Sequence, residues 1–410
     1  MSYAEPMLCK ENASCIFADD FAHIVFAPSG FKSSSSKKMP PMKSHWLTVL
    51  SQFGSRLLRN NNKPKGAKMI YVGMDISSKD FVIHAINEKK KVIFKGSVSP
   101  TKKGIRDLIS ELGIEHKLFV FEAGNQMKWM ADYFKKLGED IHIVHPNEVK
   151  WIAESGGKKT DQVDARKLAE LARADMLPRR VHVAEGDART LRELTTAREM
   201  LVRRRVSIIN SLRGYLKQEG VKLPAKFFQS KDWEVELIQK KLTNSCQVIT
   251  ASFMSAIESL KNSEASIQAE IMEVKGKEIE LLETIPGIGK LNARVLFGAI
   301  AKVDRFKSSK ELSSYGALAP TIYQSGNELR MGPVSRSGRK EIRRALLQGA
   351  HAVARMKSAG AAPLLDFFER IEKKRGKKRA LIALSRKLLT IVYAVLKSEE
   401  PYVPGLLRAV

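Results

Sequence analysis

Two aspartates lie three residues apart at the start of a helix-forming run. The segment "GGKKTDQVDARKLAELAR", residues 156–173, carries Asp161 and Asp164 after a flexible Gly-Gly-Lys-Lys stretch. Residues three apart share one face of a helix, so both carboxylates can point the same way. Neighbouring anions repel one another, and their pairing in a strongly basic chain therefore indicates a cation held between them.

Two strand-like segments supply further carboxylates. Asp75 ends the apolar segment of "VGMDIS", and Glu122 ends that of "FVFEAG". Carboxylates at the ends of neighbouring strands project into one cleft, which would bring four together. Oxygen-only ligands suit Mg²⁺ or Mn²⁺. Two such ions about 4 Å apart can activate a nucleophile and stabilise a leaving oxygen at a phosphodiester. The sequence therefore predicts a metal site made by Asp75, Glu122, Asp161 and Asp164.

Each of these acids also has an ordinary structural interpretation. Asp161 can be a helix N-cap after Thr160, and Asp164 can pair with Lys167, three residues further along the same helix face. The joint occurrence of the four acids, rather than any single one, favours the metal site.

A second region dense in chemistry is "APTIYQSGNELRMGPVSRSGRKEIRRALLQGAHA", residues 319–352. Ser325 lies in a Gln-Ser-Gly-Asn turn signal. Basic side chains surround it in the sequence: Arg330, Arg336, Arg339, Lys340, Arg343 and Arg344. The serine can hydrogen-bond a phosphate, or it can be a nucleophile at a phosphodiester, with arginine or metal stabilising the charge. No His or Lys base is identifiable beside it, so the residues alone favour the phosphate contact.

The elements that must position these groups follow a clear order. Segments rich in Val, Ile, Phe and Tyr predict strands at 69–77, 80–87, 90–98, 117–124 and 141–146. The segments 102–112 and 126–138 are predicted to be helices. The order β-β-β-α-β-α-β, followed by the helix that carries Asp164, is that of the ribonuclease H-like fold. The fold class predicted is thus α/β followed by α, with a mixed sheet in the N-terminal domain.

The sequence divides into four regions. Residues 1–68 are rich in Ser, Lys, Pro and Asn, and we expect a disordered or spurious extension there. Residues 69–180 form the domain with the acids. Residues 181–280 contain two long helical runs, which predict a coiled-coil arm, antiparallel within one chain or intermolecular and dimerising. Residues 281–410 form a mainly helical C-terminal domain.

"TIPGIGKLNARVLFGAI", residues 284–300, resembles a helix-hairpin-helix. Gly287 and Gly289 would let the backbone approach phosphates, and the helix N-terminus at Lys290 favours anions. The alternative is an ordinary glycine-rich turn between helices.

Composition bounds the partners. The chain has 410 residues, a formal net charge of +27 and 43% hydrophobic residues. That charge predicts a polyanionic partner, nucleic acid before membrane, although a generally basic surface is the plain alternative. Cys9, Cys15 and Cys246 are too few and too scattered for disulfides or zinc, which fits a reducing cytoplasm. The best apolar run, Leu388–Leu396, is too short to span a membrane, and we find no secretory leader.

The quoted motifs together with "YVGMDISSKDF" and "IPGIG" closely resemble the insertion-sequence-110 family of DEDD-type transposases, from Met69 to the C-terminus. The resemblance implies a RuvC-like N-terminal domain whose tetrad is Asp75, Glu122, Asp161 and Asp164. It also implies that Ser325 matches the family's nucleophile, which joins covalently to DNA, against the preference from residue chemistry. An element-encoded bridge RNA would choose the DNA sequence by base pairing.

Nucleic-acid contacts are then expected on basic segments. The candidates are Arg203, Arg204, Arg205, Asn210, Arg213, Gly287, Gly289, Lys290, Arg330, Arg336, Arg339, Lys340 and Arg343, with residues 372–380. A solvated basic face is the alternative for the helical run and for residues 372–380.

The function predicted is an insertion-sequence transposase or recombinase that cuts and rejoins DNA through Ser325 with Mg²⁺ (or Mn²⁺). Its partners would be the element ends, the target DNA and a guide RNA, without a membrane. We expect a homodimer or homotetramer in a bacterial or archaeal cytoplasm, associated with the nucleoid. The main alternative is a Mg²⁺-dependent structure-specific nuclease of the junction-resolvase kind. A non-catalytic nucleic-acid binder would leave the acid cluster without a reason.

Overall fold

The computed structural model describes residues 68–153, 160–240, 242–325, 328–335 and 337–404. The predicted extension 1–68 lies outside these ranges except for its last residue. The chain divides into two compact units, one ending at Arg180 and one beginning at Val181.

The first unit is built on a mixed five-stranded sheet. Its strands are β1 (Met69–Ile76), β2 (Phe81–Asn87), β3 (Val92–Val98), β4 (His116–Glu122) and β5 (Asp140–Val144), in the spatial order β3-β2-β1-β4-β5. β1 pairs antiparallel with β2, and β2 with β3, whereas β4 lies parallel to both β1 and β5. The β-β-β-α-β-α-β order predicted from the sequence is confirmed.

Helices cover this sheet. They are α1 (Lys102–Glu111), α2 (Met127–Leu137), α3 (Pro146–Ala153) and α4 (Asp161–Arg173). Phe134 of α2 packs on Phe119 and Phe121 of β4, with ring centroids 4.6 and 6.2 Å apart. Val120 and Val144 instead form a cluster with Leu168 and Ala172 of α4. Since successive strand residues face opposite sides of a sheet, α2 and α4 lie on opposite faces.

The second unit begins with two long helices, α5 (Gly186–Gln218) and α7 (Asn244–Glu273). They run antiparallel, because Arg198 on α5 bonds Gln268 on α7 while Arg205, seven residues later, bonds Glu264, four residues earlier. The second helical run is interrupted: α6 (Trp233–Ile238) precedes α7, and α8 (Lys277–Glu283) follows it. Thr243 starts α7 by accepting from Cys246 N, which separates it from α6.

The helix pair has its own small core at one end. Apolar side chains from α5, α6 and α7 meet there: Leu212, Leu216, Phe227, Trp233, Leu237, Cys246 and Ile257. At the opposite end Leu191 and Ile271 belong to the main core of the unit. The pair therefore links two separate hydrophobic clusters.

The remaining helices form that main core together with α8. They are α9 (Lys290–Ile300), α10 (Ser309–Tyr315), α11 (Lys340–Val353), α12 (Ala362–Arg375) and α13 (Lys377–Ser398). A hairpin of β6 (Pro320–Ser325) and β7 (Glu328–Val334) lies between α10 and α11 along the chain. α13 buries an apolar face that includes Leu384, Leu388 and Val392. None of the helices in the described ranges combines the length and the apolar character that crossing a lipid bilayer requires.

Candidate active site

The two aspartates lie in the first turn of α4. Thr160, not Asp161, is the N-cap: its side chain accepts a hydrogen bond from Val163 N at 3.3 Å. Asp161 is exposed and Asp164 is half-buried. Carboxylates in this position also interact favourably with the positive end of the helix dipole. The cap made by Thr160 thus fixes the start of the helix that carries both carboxylates.

Gly73 allows α4 to lie against the sheet. A Cβ atom added at Gly73 would lie far inside contact distance of the Ala165 carbonyl oxygen and 2.6 Å from Ala169 N. Backbone therefore meets backbone at the middle of β1, with no room for a side chain. This contact sets the position of α4 along β1.

The strand register places the other two acids. Gly73 lies opposite Val120 and Met74 opposite Phe121, so Asp75 and Glu122 are neighbours at the carboxyl ends of parallel strands. Asp75 lies two residues after Gly73, and Glu122 two residues after Val120, and both of those earlier positions face α4. Because side chains alternate along a strand, Asp75 and Glu122 point to that same face. Ala165 lies over Gly73, whereas Leu171 and Arg173, further along α4, lie near Tyr71, which is closer to the start of β1. The first turn of α4 therefore lies toward the Asp75 end of β1. The backbone thus brings all four predicted acids to one end of one sheet face.

The side chains are not gathered into a metal cage. Among the described residues, no three His, Cys, Asp or Glu side chains form a group that could hold a metal ion. The donor chemistry nevertheless fits a hard divalent cation, since all four groups are carboxylates.

His84 lies on this face beneath α4. It pairs with Gly73 across β1 and β2 and is buried. Its Nδ1 is buried without a hydrogen-bond partner among the described residues. Burial and the nearby charges of Lys95 and Arg166 lower the pKa of His84, whereas Glu170 opposes them. The neutral form of His84 is therefore favoured next to the helix that carries the aspartates.

The serine block forms the hairpin of β6 and β7. The backbone of Ser325 ends β6 and pairs with Glu328, while Gly326 and Arg336 lie outside the described residues. Arg330 is exposed and bonds Glu328 at 2.8 Å. Ser325 belongs to the second unit and the four acids to the first.

Three more predicted contact residues follow the hairpin. Arg339 Nε donates to the Tyr315 hydroxyl at 3.2 Å, and its Nη1 donates to Glu341 at 2.9 Å. Lys340 begins α11 and is exposed, and half-buried Arg343 makes a long bond of 3.5 Å to the Ser335 carbonyl. Arg339 is thus part of an internal network, whereas Lys340 faces solvent.

The basic run on α5 is partly committed to protein contacts. Arg205 donates both Nε and Nη2 to Glu264, and Arg213 donates to the carbonyl oxygens of Pro224 and Ala225. Arg203 pairs with Glu199 but remains exposed. Arg204 and Asn210 are exposed. Arg203, Arg204 and Asn210 therefore present the surface of this run, and Arg205 and Arg213 hold the arm together.

The glycine turn separates α8 from α9, and its two glycines differ. Gly287 has φ +85°, and a Cβ there would lie 2.5 Å from the Gly349 carbonyl oxygen of α11. Gly289 has no neighbour within 4 Å of its built Cβ and is the N-cap of α9. Lys290 next to it is exposed. Gly287 is thus needed for packing, and Gly289 with Lys290 forms the open part of the turn.

Residues 372–380 form a charged corner between α12 and α13. Lys373, Lys374, Arg375, Lys377, Lys378 and Arg379 are all exposed around Gly376. Six neighbouring cations make this a strong local positive field.

Sequence reasoning missed two features of these sites. Gly73 was visible as a glycine inside a strand, a signal of close backbone approach. The network around Tyr315 gave no sequence signal, because its members Arg192, Arg305 and Arg339 are far apart along the chain.

Comparison with known proteins places the chain in a family. Residues 72–220 match the family model DEDD_Tnp_IS110, which is described as a transposase. Residues 279–364 match a second family model, described as the transposase IS116/IS110/IS902 family. The transposase for insertion sequence element IS1111A of Coxiella burnetii is 25% identical, over 88% of this chain and 98% of its own length. A probable family 20 transposase of Pseudomonas aeruginosa is 22% identical over 82% and 98%. A pilin gene-inverting protein of Moraxella bovis is 43% identical over 30% of this chain and 38% of its own length. The two matched segments carry the acidic motifs and the whole serine block, and the chain belongs to the IS110 family of DNA transposases.

Proposed function

We propose that the protein cuts and rejoins DNA strands at the ends of an insertion sequence, with Ser325 as nucleophile and the four acids as its metal site. The observation that carries this proposal is the common placement of Asp75, Glu122, Asp161 and Asp164 at one end of the face covered by α4. In a member of a DNA transposase family, such a set of carboxylates can bind the divalent ions that act on a phosphodiester.

The acids would hold Mg²⁺ or Mn²⁺. Asp75 and Glu122 would bind from the strand ends, and Asp161 and Asp164 from the helix. A divalent ion bound there supplies charge stabilisation for a phosphodiester undergoing displacement. The close packing of Gly73 on α4 keeps the helix carboxylates at a fixed height above the strand carboxylates.

Ser325 would make the covalent bond. Its Oγ attacks phosphorus, a new Oγ–P bond forms, and one P–O bond to deoxyribose breaks. The serine proton is lost to solvent, and the leaving deoxyribose oxygen is released as a hydroxyl. Attack by another strand's hydroxyl on the phosphoserine would reverse these bond changes and regenerate the serine, so the strands are rejoined without an external energy source.

DNA selection would use an RNA guide. The net charge of +27 supports a polyanionic partner, which both DNA and RNA are. Lys340, Lys290 with Gly289, the exposed α5 positions Arg203, Arg204 and Asn210, and the corner 372–380 are the proposed backbone contacts. The turn at Gly289 would act as a helix-hairpin-helix, and the α5/α7 pair as a dimerising arm. The relationship to pilin gene-inverting proteins makes DNA inversion a second possible outcome of the same strand exchange.

A denaturing gel tests the chemistry. Purified protein is incubated with labelled element-junction DNA, the matching RNA and Mg²⁺. A DNA-linked protein band is expected for the wild type and is expected to vanish in Ser325→Ala and in Asp161→Asn.

Matched variants control for surface effects. Ser337→Ala changes an exposed serine of the same block, and Glu170→Gln changes an exposed acid of the same helix α4. Both should keep the adduct. Free cleaved ends without an adduct, unchanged in Ser325→Ala and lost in Asp161→Asn, would identify a hydrolytic nuclease and remove the serine from the mechanism.

A further inference from the structure

Three arginines from different elements converge on one tyrosine in the second unit. Arg339 Nε donates to the Tyr315 hydroxyl at 3.2 Å. The guanidinium carbon of Arg305 lies 4.3 Å from the centre of the Tyr315 ring and 4.1 Å from that of Phe306. Arg192 donates Nε and Nη2 to the carbonyl oxygens of Gly298 and Ala299, at 3.1 and 3.0 Å. Ala299 O also accepts from the Tyr315 hydroxyl at 3.3 Å, so Arg192 and Tyr315 meet at one atom.

The cluster carries excess positive charge. Glu341 bonds Arg339, and Glu185 acts on His182 from the same neighbourhood, whereas Lys302 adds another cation. Burial and the positive charges of Arg339 and Arg305 lower the pKa of Arg192. Like charges at close range cost free energy unless an anion offsets them.

The pKa of Tyr315 responds to these positive charges. Burial raises the pKa of Tyr315, but Arg339, Arg305 and Arg192 together lower it below the ordinary value. A phenol that is easier to ionise when buried is unusual, since burial alone has the opposite effect. The site therefore stabilises negative charge at the position of the hydroxyl.

The cluster has unused donor capacity. The Nε2 of His182 is buried and has no hydrogen-bond partner among the described residues. Burial, and after it the positive charges of Arg305 and Arg192, lower the pKa of His182. Arg192 Nη1 makes no hydrogen bond to any described residue, and Arg192 is partly exposed. An anion reaching this point would meet converging guanidinium donors.

We propose that Arg192, Arg305 and Arg339 around Tyr315 form a binding site for one backbone phosphate of a nucleic acid. This assignment rests on the proposed function, since it takes nucleic acid as the partner. Planar guanidinium groups hold phosphate by paired charge-assisted hydrogen bonds. Bound phosphate adds a negative charge beside the phenol, so it raises the pKa of Tyr315.

The test uses Tyr315 as its own reporter. Full-length protein carries tyrosine labelled with ¹³C at Cζ, and Tyr315→Phe assigns the signal. Inorganic phosphate and a short single-stranded oligonucleotide are titrated separately. Both are expected to shift the Tyr315 signal and to move its titration to higher pH. Arg192→Gln should weaken the oligonucleotide response about tenfold.

Controls separate binding from folding. Arg370→Gln removes an exposed arginine that stacks on Phe367 of α12, and it should leave the response unchanged. Arg339→Lys keeps the positive charge but loses the planar guanidinium group. It replaces Arg192→Gln as the test of the oligonucleotide response if circular dichroism shows that Arg192→Gln is poorly folded.

Two results would overturn the assignment. A response to phosphate but not to the oligonucleotide would mean a site for free phosphate, and no response to either would make the arginines purely structural. Neither result depends on strand cleavage. Loss of the serine adduct with an intact Tyr315 response would instead refute the proposed chemistry alone.

Discussion

The backbone of Ala165 lies directly over Gly73, with no space for even one side-chain carbon between helix and strand. This contact joins the two sources of carboxylates, because Asp164 precedes Ala165 and Asp75 lies two residues after Gly73. The distance between α4 and the sheet is thus set at one point, next to the carboxylates of the proposed metal site.

Gly73→Ala should therefore damage both folding and catalysis. The added methyl must push α4 away from β1, and overpacking of this kind costs about 1–3 kcal/mol. Urea unfolding measures the stability, and the DNA-adduct gel measures the chemistry. Gly214→Ala is the matched control, since its added Cβ meets nothing within 4 Å on α5. There we expect a gain of about 0.5–1 kcal/mol from helix propensity. Equal behaviour of the two variants would contradict the close approach.

The two glycines of the turn before α9 should separate packing from binding. Gly287→Ala places a side chain at φ +85° and 2.5 Å from Gly349 O, so it should lower stability by roughly 2 kcal/mol or more. Gly289→Ala should fold normally. Lys290→Gln should weaken DNA binding and reduce the salt slope of log K by about 1. Fluorescence anisotropy at several salt concentrations gives that slope, and an unchanged slope would remove Lys290 from the interface.

Adjacent arginines on α5 should behave in opposite ways. The side chain of Arg205 is 26% exposed and that of its partner Glu264 only 10%. Arg205→Met strands a buried carboxylate and should cost about 2 kcal/mol. Replacing both partners, as in Arg205→Met with Glu264→Leu, should recover much of that loss. Arg204→Gln should leave unfolding unchanged and weaken nucleic-acid binding. A stability loss in Arg204→Gln would mean that its side chain has a structural role.

His84 predicts how stability depends on pH. Its pKa is lowered in the folded protein from the ordinary value of 6.5, so the unfolded chain binds the proton more tightly. The free energy of unfolding should not be reduced by His84 above about pH 6.5. It should fall as the pH drops through that value towards the pKa of His84 in the folded protein. Urea midpoints across this range measure the slope, and His84→Gln should flatten it. A midpoint that rises on acidification would reverse the sign and refute a buried neutral His84.

The strands and the positions of the acids along them were predictable, because segments rich in Val, Ile, Phe and Tyr are separated by short polar connections. Asp75 and Glu122 needed only to be strand ends, and Asp161 and Asp164 only to begin a helix. The fates of Arg205, Arg213 and Arg339 were not predictable, since their partners Glu264, Pro224 and Tyr315 lie elsewhere in the sequence. The charge of an arginine can be read from the sequence, but the oxygen atom to which it donates in the folded protein cannot.

The break in the second helical run was missed for a related reason. The second helical run predicted from the sequence spans residues 234–285. It contains many helix formers, and Thr243 and Gly276 give only weak stop signals within it. Tertiary packing of Trp233 and Leu237 into the small core with Leu212 decides where α6 ends.

The α5/α7 pair also has a mechanical consequence. A helix of 33 residues such as α5 is about 50 Å long. Near its first turns it meets α9, where a Cβ added to Gly298 would lie 3.0 Å from Arg192 N. A tilt of about 10° at that point would carry the far end, about 39 Å away, through roughly 7 Å, about two nucleotide spacings of a DNA strand. A small change of angle where α5 meets α9 would thus be amplified into a much larger displacement at the other end of the arm.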